Sequence, residues 1–170
     1  MQESSSLLKR PQPYVGESLA GFLLRLADSN YYDSLRWIFQ LANLSKYEPN
    51  ANLLMPGKHS LIQLSQLTGI RETTLWRMAF PAADYKDRRN YVEAFCRTIP
   101  SYFIHEAISK VCPKCLVEIP FRRKIWDVSI VTAYPIHRCL LVDTCSHCQK
   151  LITWSKASLT KCRCGIDLRN

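Results

Sequence analysis

Residues 134–139 read YPIHRC, and the His-x-Cys inside this stretch decides how the last third of the chain folds. Close cysteine pairs lie on both sides of it: Cys112 and Cys115, Cys145 and Cys148, and Cys162 and Cys164. Structural zinc sites take four Cys or His ligands, and a short spacer lets one turn of chain supply two of them. With His137 and Cys139 as the remaining pair, the ligands suffice for two tetrahedral Zn²⁺ ions, which we expect as structural cofactors.

The order in which these pairs combine has two interpretations. Sequential pairing predicts Cys112, Cys115, His137 and Cys139 for the first ion, and Cys145, Cys148, Cys162 and Cys164 for the second. Interleaved pairing joins the first pair to the third and the second pair to the fourth. His147 is a competing ligand, but it is adjacent to Cys148, and neighbouring side chains do not easily face one ion. We expect the sequential arrangement.

The acidic residues do not indicate a catalytic metal site. After residue 111 they are Glu118, Asp127, Asp143 and Asp167, and none stands in an H-x-E or H-E-x-x-H motif. A catalytic zinc keeps one position open for water, whereas four protein ligands fill a tetrahedral site. No Gly-rich phosphate loop, G-x-S-x-G motif or nucleophilic Cys-His pattern occurs elsewhere. The sequence therefore predicts no enzyme, and a zinc hydrolase is the least favoured alternative.

Composition favours a folded protein of the cytoplasm. Hydrophobic residues make up 47% of the 170 residues, which supports a buried core. No apolar run reaches the roughly 18 residues that a transmembrane helix needs, and the opening MQESSSLLKRPQP lacks the apolar stretch of a signal peptide. Cytosolic thiols stay reduced, so close cysteine pairs there indicate metal binding rather than disulfides. We expect no membrane partner.

The charge of the chain permits nucleic-acid binding without requiring it. The formal net charge is +9, and most of the excess lies after residue 110. Seven thiolates that bind two Zn²⁺ would lower this charge by about three. The remaining excess is modest, so contacts with the phosphate backbone of DNA or RNA are compatible with it.

The chain divides near Val111 into two predicted domains. Residues 1–110 are expected to form a mainly α-helical domain that contains a helix-turn-helix, and residues 111–170 a small α+β double zinc-finger domain. Two amphipathic helices open the first domain, because apolar residues recur at the helical spacing i, i+3, i+4, i+7. These residues are Leu19, Phe22, Leu23 and Leu26, then Leu35, Ile38, Phe39 and Ala42 after the capping candidates Asp33 and Ser34. Residues 47–60 read as a loop.

Residues 60–80, SLIQLSQLTGIRETTLWRMAF, predict the helix-turn-helix. Its first helix has an apolar face of Leu61, Leu64 and Leu67, Gly69 provides the turn, and Leu75 and Met78 continue on a second helix. The second helix exposes Arg71, Thr73, Thr74 and Arg77, side chains suited to phosphates or base edges. The alternatives are a helical pair that only packs, or one that contacts another protein.

Residues 88–99, RRNYVEAFCRTI, predict a further helix in the first domain. Tyr91, Phe95 and Ile99 would form its buried side. Cys96 lies close to that face and has no neighbouring Cys or His, so we expect a small core residue and not a ligand.

The ordered set of motifs resembles the TniQ/TnsD family of transposon target-selection proteins. The motifs are PYVGESLAGFLLRLA at 13–27, LSQLTGI at 64–70, VCPKCL at 111–116, VTAYPIH at 131–137 and CRCGIDLR at 162–169. The resemblance spans Pro13 to Arg169. The family often has Cys-Pro-x-His where this chain has Tyr134, so Cys139 would replace the missing thiolate, and Tyr134 would pack beside the site.

The resemblance implies a non-enzymatic adaptor of the bacterial cytoplasm. Family members connect a target-recognition element to the AAA+ ATPase TnsC, which brings the transposase to the insertion site. Larger members read a DNA attachment site through additional C-terminal domains, and we expect no such reader here. The size resembles the short TniQ of a CRISPR-associated transposon, in which an effector with a guide RNA supplies specificity. A stand-alone helix-turn-helix and zinc-finger DNA-binding regulator is the alternative.

Overall fold

The computed structural model describes residues 7–44, 51–54, 59–83, 90–105, 107–154 and 158–169. Helices dominate the first half of the chain, and short strand pairs come later. The helices are α1 (Leu19–Ser29), α2 (Leu35–Leu41), α3 (Ile62–Thr68), α4 (Glu72–Met78) and α5 (Pro113–Glu118). The strands are β1 (Tyr91–Ala94), β2 (Arg97–Pro100), β3 (Ala133–Tyr134) and β4 (Cys139–Leu140). No helix among the described residues is long and apolar enough to cross a membrane.

The first two helices begin at the serines that the sequence places before their apolar faces. The Ser18 hydroxyl accepts a hydrogen bond from the Gly21 N–H at 3.1 Å, and the Ser34 hydroxyl accepts one from the Arg36 N–H at 3.2 Å. These bonds satisfy N–H groups that the first helical turn leaves unpaired. The predicted face of α1 is fully buried, as expected, but every other residue from Leu19 to Ala27 is buried too, so the helix is enclosed on all sides along this stretch rather than amphipathic.

Helices α3 and α4 lie where the spacing of leucines places two helices around Gly69. Gly69 adopts a left-handed conformation with φ 74°, which ends α3 in the manner that favours glycine. The Glu72 carboxylate then accepts hydrogen bonds from the Leu61 N–H at 3.0 Å and from the Trp76 indole at 3.3 Å. The carboxylate therefore ties the start of α4 back to the start of α3.

Residues 91–100 form a β-hairpin, so the helix predicted over 88–99 is wrong. Strands β1 and β2 pair antiparallel, with Tyr91 opposite Pro100 and Ala94 opposite Arg97. Burial alternates along β1 with the period of two that a strand requires. Between the strands, Phe95 and Cys96 have φ values of 51° and 59°, the pair of left-handed residues that a tight two-residue hairpin turn needs.

The same turn corrects the prediction for two side chains. Phe95 is 49% exposed rather than buried, and Cys96 is exposed rather than a core residue. Both lie in the turn at the tip of the hairpin, where the half-exposed Phe95 ring still meets Phe80 edge-on, with ring centroids 6.4 Å apart. Val92 is buried, although the predicted helix did not include it on its buried side.

Part of the predicted loop is packed structure. Ala51–Leu53 forms one turn of 3-10 helix, while 47–50 and 55–58 lie outside the described residues. Asn52 is fully buried, and its amide oxygen accepts a hydrogen bond from the Ala20 N–H at 2.9 Å. Its amide nitrogen donates to the Asp127 carboxylate at 2.8 Å. Asn52 therefore links α1 to a segment of the second half.

Contacts cross the predicted boundary at residue 111. The Ser18 N–H donates to the Arg122 carbonyl at 3.0 Å, and the Lys124 N–H donates to the Gly16 carbonyl at 2.7 Å. Trp154, from the second half, is buried in the same core cluster as α1. The division into two domains stays a prediction, and its halves share this packed junction.

Two ionisable side chains, Arg122 and Asp127, are buried where the two halves of the chain pack together. The Arg122 guanidinium donates to the Ser109 hydroxyl at 3.2 Å and to the Leu159 carbonyl at 3.0 Å. Burial raises the pKa of Asp127 to about 7, while a hydrogen bond from Ser18 and the charge of Arg122 act in the opposite direction. Burial also lowers the pKa of Arg122 to about 10. Hydrogen bonds from both halves thus hold the side chains of Arg122 and Asp127, two buried ionisable groups, in place.

Gly21 lets α1 approach this junction closely. A Cβ atom at Gly21 would lie 2.5 Å from Cβ of Arg122 and 3.0 Å from its carbonyl oxygen. We expect Gly21→Ala to lower the free energy of unfolding by about 1–3 kcal/mol, because the neighbouring atoms belong to a packed segment. The effect opposes the gain of about 1 kcal/mol that alanine brings to a helix. Urea unfolding measures it, with Ser29→Ala in the same helix as a control, and a stabilised Gly21→Ala protein would contradict the close packing.

Candidate metal centres

The first group of metal-binding side chains lies where α5 meets the turn between β3 and β4. Cys112 immediately precedes α5, and Cys115 follows one turn later, so both thiols point to the same side of the chain. His137 lies in the turn that joins β3 to β4. Its Nδ1 atom is 3.2 Å from the Cys112 Sγ and 3.3 Å from the Cys115 Sγ.

Cys139 approaches this group from one side. The donor atoms of Cys112, Cys115 and His137 all lie within 4.8 Å of one another. The Sγ of Cys139 is 3.5 Å from the Sγ of Cys112, but it is not part of that converging set. Three of the four predicted donors therefore converge, and the fourth contacts one of them.

Aromatic rings cover the inner side of the first group. Tyr134 is buried, and its ring centroid lies 5.7 Å from that of Trp126 and 5.8 Å from that of His137. The expectation that Tyr134 packs beside the site is confirmed. Burial raises the pKa of the Cys112 and Cys115 thiols, so thiolates here require a compensating positive charge.

The second group is made of two tight turns that face each other. Cys145 and Cys148 flank one turn, in which the Gln149 N–H donates to the Cys145 carbonyl at 3.0 Å. Cys162 and Cys164 flank the other turn, which Gly165 closes with φ 93°. The four Sγ atoms lie within 4.8 Å of one another. Hydrogen bonding from the Cys148 backbone lowers the pKa of Cys145 to about 6, whereas, against the effect of the Cys164 backbone, burial and hydrogen bonds with the neighbouring thiols raise the pKa of Cys162 to about 11. A bound cation would stabilise the thiolates of such a cluster.

The sulfur spacing in the second group fits a tetrahedral ion. Zn–S bonds of about 2.3 Å place tetrahedral sulfur ligands about 3.8 Å apart. The Sγ atoms of Cys145 and Cys164 are 3.8 Å apart, and those of Cys148 and Cys162 are 3.7 Å apart. Both groups can therefore hold a metal ion. They follow the sequential pairing, and the exposed His147 belongs to neither of them.

The predicted recognition residues lie on and just before α4. Arg71 precedes the helix, and Arg71, Thr73 and Arg77 are exposed, whereas Thr74 is half-buried. The Arg77 carbonyl accepts a hydrogen bond from Lys124 at 2.9 Å, which fixes the end of α4 to the junction. Three of the four residues thus belong to one short helix and Arg71 immediately precedes it, and Arg71, Thr73 and Arg77 face solvent.

Glu118 is a polar neighbour of the first metal group that the sequence reasoning did not connect to it. Its Oε1 atom lies 3.0 Å from Nε2 of His137. The spacing Cys115-x-x-Glu118 within a helix was the available signal, because residues three apart lie on one face. Its partner His137 is far along the chain, so the contact itself could not be read from the sequence.

Most of the chain matches the model of a known protein family. The TniQ family model matches residues 8–141. The chain belongs to the TniQ family, whose members are associated with transposition. The match includes the first metal group of this TniQ protein, and the second group lies beyond it. No curated protein matches the sequence.

Proposed function

We propose that this TniQ protein is a non-enzymatic adaptor in RNA-guided DNA transposition. It links a CRISPR effector, bound to its target through a guide RNA, to the AAA+ ATPase TnsC and so to the transposase. The observation that carries the proposal is the family match over most of the chain. A role without chemistry also agrees with the second metal group, in which four converging protein ligands would leave no open position for a reacting water.

The proposed metal is Zn²⁺, with one ion in each group. Soft thiolates and imidazole are ligands that zinc prefers, and the sulfur spacing of the second group supports a tetrahedral ion. Cys112, Cys115, His137 and Cys139 would hold the first ion, and Cys145, Cys148, Cys162 and Cys164 the second. When bound, the ions supply structural cross-links between distant turns of the chain.

Cys139 is the ligand whose role most needs a direct test. We expect Cys139→Ser to lower the zinc content or the affinity of the first site, because the thiolate next to Cys112 is lost. Tyr134→Phe keeps the ring that packs against Trp126 and should leave zinc unchanged. Elemental analysis after dialysis against a weak chelator measures both variants. Equal zinc content and affinity in wild type and Cys139→Ser would show that another group is the fourth ligand.

Binding of the ATPase tests the adaptor function. We expect purified TniQ protein to retain the transposon's AAA+ ATPase in a pulldown when ATP is present, because such subunits assemble in the ATP-bound state. The same pulldown without nucleotide gives the comparison. Absence of retention under both conditions would contradict the link to the ATPase.

The alternative is a DNA-binding regulator that recognises a specific sequence of double-stranded DNA through α4. The exposure of Arg71 and Arg77 on one helix favours it. A sequence-reading protein binds one duplex tightly and loses the binding with Arg71→Ala or Arg77→Ala. The adaptor needs only weak, non-specific contact with nucleic acid, as two cations on a short helix suggest. Fluorescence anisotropy over a salt series separates the two, and tight specific binding by the isolated protein would favour the regulator.

A further inference from the structure

The imidazole of His137 is engaged on both ring nitrogens. Nδ1 faces the sulfurs of Cys112 and Cys115, and Nε2 lies 3.0 Å from Glu118 Oε1. The His137 side chain is 12% exposed, whereas that of Glu118 is 61% exposed. The ring therefore bridges a buried donor group on one side and a carboxylate at the surface on the other.

Helix α5 carries both the metal ligand and the carboxylate. Cys115 and Glu118 are three residues apart, so they lie on the same face of the helix. The turn that carries His137 lies against this face, which places the ring between the Cys115 thiol and the Glu118 carboxylate. One short helix thus determines the position of both neighbours of the ring.

We propose that Glu118 is the positioning residue of the first metal site. Its carboxylate accepts the Nε2–H hydrogen bond, and this bond selects the tautomer whose unprotonated Nδ1 faces the metal. It also fixes the orientation of the ring relative to the two sulfurs. The inference rests on the proposed metal binding and adds a residue that contacts the ligand but not the ion.

Glu118 does not fit the role of a ligand. Its oxygen contacts the ring nitrogen that points away from the sulfurs, and Glu118 is not among the converging donor atoms. A role as a general base is excluded by the same geometry, because the histidine ring separates the carboxylate from the donor group. The carboxylate therefore acts through His137.

The test compares zinc affinity at the two sites of one chain. Competition with a chromophoric chelator resolves two zinc ions, and the four-cysteine site serves as an internal reference. We expect Glu118→Ala to weaken the first site about tenfold, the low end of the 10- to 100-fold range, since the carboxylate is partly exposed to solvent. Glu118→Gln retains an oxygen acceptor and should recover part of the affinity.

Two controls separate positioning from general damage. Glu93→Gln removes an exposed carboxylate in β1, and Val117→Ala alters an exposed side chain of α5 without touching His137. ¹⁵N NMR of His137 supplies a second readout, since wild type should show the Nε2–H tautomer with a slowly exchanging proton. In Glu118→Ala that proton should exchange faster.

The outcomes distinguish this inference from the metal proposal. If wild-type protein binds no zinc at the first site, the metal proposal itself is wrong. If wild type binds two zinc ions and Glu118→Ala matches Glu93→Gln in affinity and proton exchange, Glu118 has no positioning role. Equal weakening by Val117→Ala would assign the effect to the helix and also overturn the inference.

Discussion

Removal of zinc is expected to unfold mainly the segment from Val111 to Leu168. The core cluster around the second metal group consists of few apolar side chains together with Cys145 and Cys162, and the cluster around the first contains Cys112 and Cys115. Strands β3 and β4 have two residues each, which is too short to be stable alone. Binding of a structural zinc contributes about 10–16 kcal/mol in zinc-finger peptides, so its loss should exceed the stability of such a core.

Hydrogen exchange read by mass spectrometry measures this effect. After chelation, amides of residues 111–154 and 158–168 should lose protection, whereas those of α1 and α2 should keep most of theirs, because α1 and α2 pack in a cluster dominated by helical residues. Elemental analysis should give about two zinc per chain before chelation. Unchanged protection in a zinc-free sample would contradict a structural role of the metal.

The second large effect is expected at the buried ion pair between Arg25 of α1 and Glu17, which lies just before the helix. Nε and Nη2 of Arg25 donate to the two oxygens of Glu17 at 2.8 and 2.7 Å, and the Glu17 side chain is fully buried. One of these oxygens also accepts the Tyr14 N–H at 3.0 Å. Arg25→Met would leave the carboxylate buried without its counter-charge. We expect a loss of about 3–5 kcal/mol of unfolding free energy.

Two further variants make this expectation specific. The double variant Arg25→Met with Glu17→Leu removes both charges and should recover a large part of the loss. Arg36→Ala, which removes an exposed arginine from α2, should change the unfolding free energy by less than about 0.5 kcal/mol. Chemical denaturation of the zinc-loaded protein measures all three. An Arg25→Met protein as stable as Arg36→Ala would contradict the assigned role of the pair.

Local patterns in the sequence predicted the parts of the fold that local physics determines. The buried face of α1 follows from its apolar spacing, and the cap of α2 follows from Ser34, one of the two capping candidates. The pairing of neighbouring cysteines follows from the short spacers, because two ligands in one turn must face the same side. These features need no knowledge of the rest of the chain. The spacers do not determine which pairs combine, and Cys139 lies outside the converging set.

The hairpin at 91–100 was missed because its turn lacks the usual residues. Phe95 and Cys96 occupy positions that favour glycine or asparagine, so no turn signal was present. The aromatic residues also happen to recur at a helical spacing. Tertiary packing of Val92 and Ala94 against the core around Phe80 favours the strand.

The long-range polar contacts could not be predicted from local sequence patterns. Asn52 and Asp127 are separated by 75 positions, and nothing in either neighbourhood indicates the other. Glu118 and His137 meet only because the β3–β4 turn folds against α5. Both contacts depend on the three-dimensional arrangement and not on a motif.

A reconstituted insertion assay tests the adaptor role most directly. Transposase, AAA+ ATPase, CRISPR effector and guide RNA are combined with and without this protein, and insertion sites are mapped by sequencing. A non-enzymatic adaptor, as proposed, would direct insertion by holding its partners together, so guided insertion should be lost or misplaced in its absence while strand transfer by the transposase remains. Guided insertion at unchanged frequency and position without the protein would contradict the adaptor function.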